Sequence, residues 1–201
     1  MNWDSISIPK YTNKMIRDIV GELIAPYSDS PPVDVEYIAE KLGFSLVPIS
    51  GLRELSSTDA YLSHRIKEIA YDSEVASVRI RFSIAHEMGH YYLHKEFIKD
   101  IRFVDYSEWK QYLNSIPGWY LGRIEYQAHE FAGQFLAPKS MIIECISDFK
   151  EEIEKASKII PDDIEAIRSF IAVPLAKRFE MSQEAFNIRL IKENINPFDY
   201  I

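Results

Sequence analysis

The sequence predicts an α+β protein, mostly helical, with a small β-sheet beside its best helix. Three observations carry that reading. Apolar residues recur at helical spacing near both ends of the chain and, most strongly, along residues 73–97. Just before that central helix, "FSLVPIS" alternates and "DAYLSHRIKEIAYDS" divides into two extended runs. After it the segments return to helical spacing, so the strands are few and grouped.

Taken in order, "YTNKMIRDIVGELIAPY" carries Met15, Ile16, Ile19 and Leu23 at helical steps and reads as an amphipathic helix, which "SDSPP" breaks. "VDVEYIAEKLG" reads as a short helix closed by Gly43, where a left-handed cap suits a residue without a Cβ. "FSLVPIS" follows as a strand. The next two runs turn around residues 63–65 as a hairpin would, with Tyr61, Ile69 and Tyr71 as its packed face. In the central helix Phe82, Ala85, Met88, Gly89 and Tyr92 fall on one apolar face, and His86 and His90 lie on a neighbouring one.

Pro117 and Gly118 break the chain, after which "RIEYQAHEFAGQFLAP" is helical until Pro138 stops it. A further helix is expected over residues 139–158, another from Pro161, and a last one capped by Ser182. We expect residues 1–160 to form the core and residues 161–201 a helical segment packed on it, with the rhythm of a helix-turn-helix.

The 201 residues are 47% hydrophobic and 27% charged, enough apolar material for a real core. A net charge of −8 gives no overall positive field to draw nucleic acid. The only cysteine, Cys145, excludes an intramolecular disulfide and reads as a small buried hydrophobe. "MNWDSISIPK" lacks the apolar run of a signal peptide, and no stretch reaches the roughly 18 apolar residues of a membrane span. The expectation is a soluble cytoplasmic protein.

The chemistry lies in "AHEMGH". Residues four apart stack on one face of a helix, so His86 and His90 can put two imidazole nitrogens on one zinc ion. Glu87 then faces a water at the open position, as the His-Glu-x-x-His arrangement requires. The plain alternative is two surface histidines on an amphipathic helix. A third ligand decides between them.

His94 continues the spacing but stands about 12 Å along the helix from His86, too far to share an ion. It reads as a helix-end histidine that bonds carbonyls or packs below the site. "IEYQAHEFAGQFLAP" offers Glu125, His129 and Glu130 instead. Glu125 would complete a two-histidine, one-carboxylate set, leaving His129 to orient the carboxylate or bond the reacting oxygen.

The runs "RFSIAHEMGHYYLH" and "EYQAHEFAGQFLAP" closely resemble the ImmA/IrrE family of zinc metallopeptidases. "PPVDVEYIAEKLGFSLVPI" looks like that family's N-terminal helix and strand, and "FEMSQEAFNIRL" like its C-terminal helix. Residues 95–122 are the least familiar. The resemblance implies a zincin-like metallopeptidase domain in which His86, His90 and Glu125 bind Zn2+ and Glu87 is catalytic. It also implies a protein substrate, since many members cleave a helix-turn-helix repressor and so release transcription. One position departs from the family: His129 stands where asparagine or aspartate is usual, which keeps it a rival ligand.

Such a site points to metal-assisted amide hydrolysis, with Glu87 taking a proton from water and passing it to the leaving nitrogen. Arg79, almost two turns before His86, is a candidate to border the cleft, with a surface salt bridge as its alternative. Tyr106, Trp109, Tyr112, Trp119 and Tyr120 are candidates for a lid or for core, and "DFKEEIEKASK" for a solvated helix face. Two readings of other classes stand beside the peptidase. One is a DNA-binding regulator using the C-terminal helices, although "SQEAFNIRLIKEN" balances two acidic against two basic residues. The other is a non-catalytic metal-binding regulatory protein, for which Glu87 would have no use.

Overall fold

A computed structural model of the chain describes residues 9–98, 111, 115–161 and 163–201. Helix α1 (Asn13–Ile24) starts where the Thr12 hydroxyl accepts the Met15 N–H. Its buried stripe is Ile16, Val20 and Ile24, strictly four apart, with Ile19 and Leu23 beside it. Met15, expected in that stripe, lies a helical step off it and is 46% exposed. Helix α2 (Val35–Lys41) is capped by Asp34. Gly43 takes φ +84°, and Phe44 N–H bonds back to the Ala39 carbonyl, turning the chain into β1 (Ser45–Ile49).

A short helix α3 (Leu52–Ser56) leads to β2 (Ala60–Ser63) and β3 (Glu68–Asp72). The sheet order is β1–β3–β2, with β1 parallel to β3 from Ser45↔Glu68 to Ile49↔Asp72 and β2 antiparallel to it. Pro48 is tolerated because β1 is an edge strand. The hairpin turn falls on residues 64–67, slightly beyond the expected 63–65. Leu62 opposes Ile69 and Ala60 opposes Tyr71, so these four share one face, and Ala60, Leu62 and Ile69 enter the core. Tyr61 opposes Ala70 on the other face, contrary to expectation, because side chains alternate along a strand.

Helix α4 (Ser77–Ile98) packs on β2, β3 and α2 and most extensively on α5 (Gly118–Leu136). Ile84, Ala85, Met88 and Leu93 are its buried residues in the core, with Phe82 and Tyr92 at the margin. Helix α5 begins at Gly118 rather than near Arg123. Pro117 stands just outside its first turn, where its carbonyl accepts the N–H groups of Tyr120 and Leu121 and its own missing donor costs nothing. Trp119 is 60% exposed, whereas Tyr120 is fully buried; Tyr106, Trp109 and Tyr112 lie outside the described residues.

The single helix expected over 139–158 is two, α6 (Lys139–Ile146) and α7 (Lys150–Ser157), around a 3-10 turn at Ser147–Phe149. There the Ser147 hydroxyl donates to the Glu144 carbonyl and competes with helical bonding. On α7 only Ile153 is buried; the charged residues form exposed pairs such as Lys155 with Glu151. Helix α8 (Ile164–Arg178) is capped by Asp163, whose carboxylate accepts the Ala166 N–H, so it starts later than Pro161. Helix α9 (Gln183–Lys192) is capped by Ser182. Phe179 and Phe186, with ring centroids 5.1 Å apart, fasten the junction of these two helices. One apolar core runs from Ile16 through Met88, Phe131 and Ile142 to Ile171 and Leu190. Among the described residues no helix is long and apolar enough to cross a membrane.

Candidate metal centre

His86 and His90, one turn apart on α4, turn their Nε2 atoms toward each other at 3.0 Å. From α5 the Glu125 carboxylate comes to 3.2 Å from His86 Nε2 and 3.5 Å from His90 Nε2. A zinc ion about 2.05 Å from each of three donors in tetrahedral geometry sets those donors about 3.3 Å apart. The three separations bracket that value, so the donor set fits the ion in size as well as in chemistry.

The neighbours of this set are arranged on the same two helices. His129, one turn beyond Glu125, donates its Nδ1–H to the Glu125 carbonyl at 2.8 Å and packs with its ring centroid 4.5 Å from that of His86. His86, Glu125 and His129 also offer donor atoms within 4.8 Å of one another, so the rival ligand left open by the sequence is at the site too. Glu130 is not. It is buried on another side of α5, where Arg189 Nη1 (3.3 Å), Lys192 Nζ (2.7 Å) and Gln134 Nε2 (3.0 Å) hold it. A single residue step along a helix turns a side chain by about 100°, which carries Glu130 from the cleft into the core.

His94 does not reach the donor cluster. It is 1% exposed below it, with Nδ1 3.2 Å from His90 Nδ1 and Nε2 2.9 Å from Gln127 Oε1. Arg79 pairs with Asp59 at 3.0 Å, its plain alternative.

Charge at the site is set by burial working against close partners. Burial is the largest influence on Glu87 and raises its carboxyl to about 7, helped by Glu125, against the lowering effects of His86 and of a hydrogen bond from the Leu62 backbone. For His86 burial works downward, but the hydrogen bond with Glu125 and the nearby carboxylates prevail and raise it. His90 is held well below the ordinary imidazole range by burial and by the other histidines. Burial pushes Glu125 upward, yet its contacts with His86 outweigh this and leave it lowered. A divalent cation requires neutral imidazoles and an ionised carboxylate, so His90 and Glu125 lean toward the liganding form and His86 leans away from it.

Three contributors were not legible beforehand: the Leu62 amide on Glu87, Gln127 beneath His94, and His64 in the β2–β3 turn. His64 stacks on Tyr91 with centroids 5.8 Å apart and is lowered to about 4, chiefly by burial. A polar Gln127 at a buried helical position was the one signal in the sequence.

No curated protein matches the chain. Among solved structures, a Mycobacterium tuberculosis transcriptional regulator is similar in fold, with a TM-score of 0.53 at 14% identity. The match covers 88% of this chain and 46% of that one, so the present chain spans less than half of that protein. A family model described as Peptidase_M78, IrrE N-terminal-like domain, matches residues 39–191. With its helix pair, its small sheet and its cluster of histidines and glutamate all inside the matched region, the chain belongs to the Peptidase_M78 family and carries its metallopeptidase-like domain.

Proposed function

We propose that this protein is a zinc-dependent endopeptidase that hydrolyses a peptide bond in a protein substrate, a helix-turn-helix transcriptional repressor, and thereby derepresses genes. In this reading His86, His90 and Glu125 are the metal ligands and Glu87 is the catalytic residue. The observation that carries it is the convergence of two Nε2 atoms and one carboxylate from α4 and α5 at tetrahedral spacing, with Glu87 adjoining them. Zinc in such a set supplies Lewis acidity, which acidifies water and polarises a carbonyl.

The rest of the chemistry belongs to the chain. Glu87, next to His86 on the same helix, is placed to take a proton from the attacking water and deliver it to the leaving nitrogen. Because β2 has β3 on one side only among the described strands, its other edge can receive an extended substrate segment beside Glu87. His129 leans over the same cleft with its Nδ1–H already committed to the Glu125 carbonyl, so Nε2 faces any ligand as an acceptor. Residues 1–160 serve as the peptidase core and 161–201 as a helical segment packed on it, which the grip of Arg189 and Lys192 on Glu130 supports.

That grip also weighs against DNA reading by α9, since both basic residues of the helix are spent on an internal carboxylate. The deciding experiment is incubation of the protein with the repressor encoded beside its gene, wild type against Glu87→Gln. A zinc-dependent fragment from wild type, absent with a zinc-loaded Glu87→Gln, is the expected result. Zinc binding with no fragment from wild type would leave a non-catalytic regulator.

A further inference from the structure

We infer that His94 is a positioning residue: together with Gln127 and the carbonyl of Pro9 it fixes His90 in the tautomer whose lone pair lies on Nε2. Hydrogen bonds that can run in only one direction link these groups. The Pro9 carbonyl can only accept, so the Gln127 group 3.0 Å from it is the amide NH2. The Gln127 oxygen therefore faces His94 Nε2, at 2.9 Å. That oxygen also can only accept, so His94 carries its hydrogen on Nε2.

A neutral ring with hydrogen on Nε2 has its lone pair on Nδ1, and a ring only 1% exposed is costly to charge, so His94 is neutral. His94 Nδ1 then accepts from His90 Nδ1 across 3.2 Å. His90 is left with a bare Nε2 pointing at His86 and Glu125. No amide flip offers an alternative, because turning Gln127 over would set two acceptors face to face at Pro9.

The chain joins three parts of the molecule: the segment before α1, the buried side of α5 and the end of α4. It has no counterpart at His86, whose Nδ1 is buried without a hydrogen-bond partner among the described residues. The two histidines are therefore unequal. His90 is prepared as a donor in advance, and His86 must adopt its tautomer when an ion arrives. This inference rests on the metal-site reading for its functional meaning, although the tautomer itself can be observed without metal.

The test has two arms. In the first, long-range 1H–15N spectra of the metal-free protein report which nitrogen of each imidazole carries hydrogen. In the second, zinc affinity is measured by competition with a chromophoric chelator for wild type, His94→Leu, Gln127→Leu and His94→Gln, each checked for fold by circular dichroism. The expected results are hydrogen on Nδ1 of His90 and on Nε2 of His94, and zinc binding weakened roughly 10- to 100-fold in both leucine variants. His94→Gln, whose amide can accept from His90 and donate to Gln127, should recover most of the loss. Hydrogen on Nε2 of wild-type His90, or unchanged zinc affinity in a folded His94→Leu, would overturn the inference. A wild type that binds no zinc would instead defeat the metal-site reading, with the spectra still deciding the tautomer.

Discussion

Gly89 of α4 lies against Ala128 of α5 with no space for a side chain between them. A Cβ added to Gly89 would stand 3.1 Å from the Ala128 Cα, 3.2 Å from its carbonyl oxygen and 3.0 Å from the Phe131 Cβ. Helices ordinarily pack about 8–10 Å apart, according to the side chains at the contact. Here the contact is glycine against alanine, flanked by His90 on one helix and one turn from Glu125 on the other. The bare backbone contact brings the carboxylate within reach of both imidazoles.

Substitution at Gly89 should therefore act on the fold and on the site together. Alanine gains about 1 kcal/mol of helix propensity over glycine. Two of its three close neighbours are backbone atoms that cannot rotate away, so overpacking of about 1–3 kcal/mol prevails. We expect Gly89→Ala to lower stability modestly and Gly89→Val to lower it by about 2 kcal/mol or more. Urea melts and zinc titrations of both variants check this. A Gly89→Val protein as stable as wild type would show that α4 and α5 can part freely.

Glu125 and His129 should separate as ligand and neighbour. Their donor atoms both approach His86, but only Glu125 lies within 3.5 Å of both His86 and His90. Glu125→Gln is expected to weaken zinc binding more than 100-fold, whereas His129→Asn should stay within about tenfold of wild type. Isothermal titration with zinc measures both. The reverse order would make His129 the third ligand.

How much of this could be read from the chain depends on whether the relevant geometry is local. The His86–His90 pair needs only the pitch of one helix, and Gly43, Asp34 and Ser182 act within four residues of their own position. The choice among Glu125, His129 and Glu130 does not: it depends on how α5 is rotated against α4, and Arg189 and Lys192, some sixty residues away, claim Glu130. Met15 and Tyr61 fit an apolar pattern yet miss the buried side by one helical step or one strand register. The parallel pairing of β1 with β3, and the Leu62 amide on Glu87, are long-range contacts with no pattern of their own in the sequence.

Zinc should stabilise the protein in proportion to its affinity, because the three donors are assembled only in the folded chain. At free zinc 100 times the dissociation constant the gain is about 2.7 kcal/mol. Glu87→Gln should keep this gain, since Glu87 adjoins the donor set without joining it, and Glu125→Gln should lose most of it. Thermal melts with zinc and with excess chelator measure the difference. An equal loss in Glu87→Gln would place that carboxylate among the ligands.

Acid should unfold the protein in part through Glu193. This carboxylate, 2% exposed in its side chain, receives Arg17 Nη2 at 2.6 Å and Arg189 Nη1 at 2.7 Å. Burial pushes its pKa up, but the hydrogen bond from Arg17 and the charge of Arg189 prevail and leave it lowered. With the folded value below the unfolded one, the stabilisation is complete above the ordinary glutamate pKa of about 4.3 and is lost as pH falls through the lower folded value. Glu193→Gln leaves Arg189 buried beside one fewer carboxylate, so it should cost about 3 kcal/mol at pH 7. It should also show a shallower decline between pH 5 and pH 3, by about the amount that protonating Glu193 costs the wild type. Urea melts of both proteins across that range test the sign as well as the size. Parallel declines would mean that Glu193 keeps its unfolded pKa in the native protein, and that Arg17 and Arg189 contribute packing rather than charge.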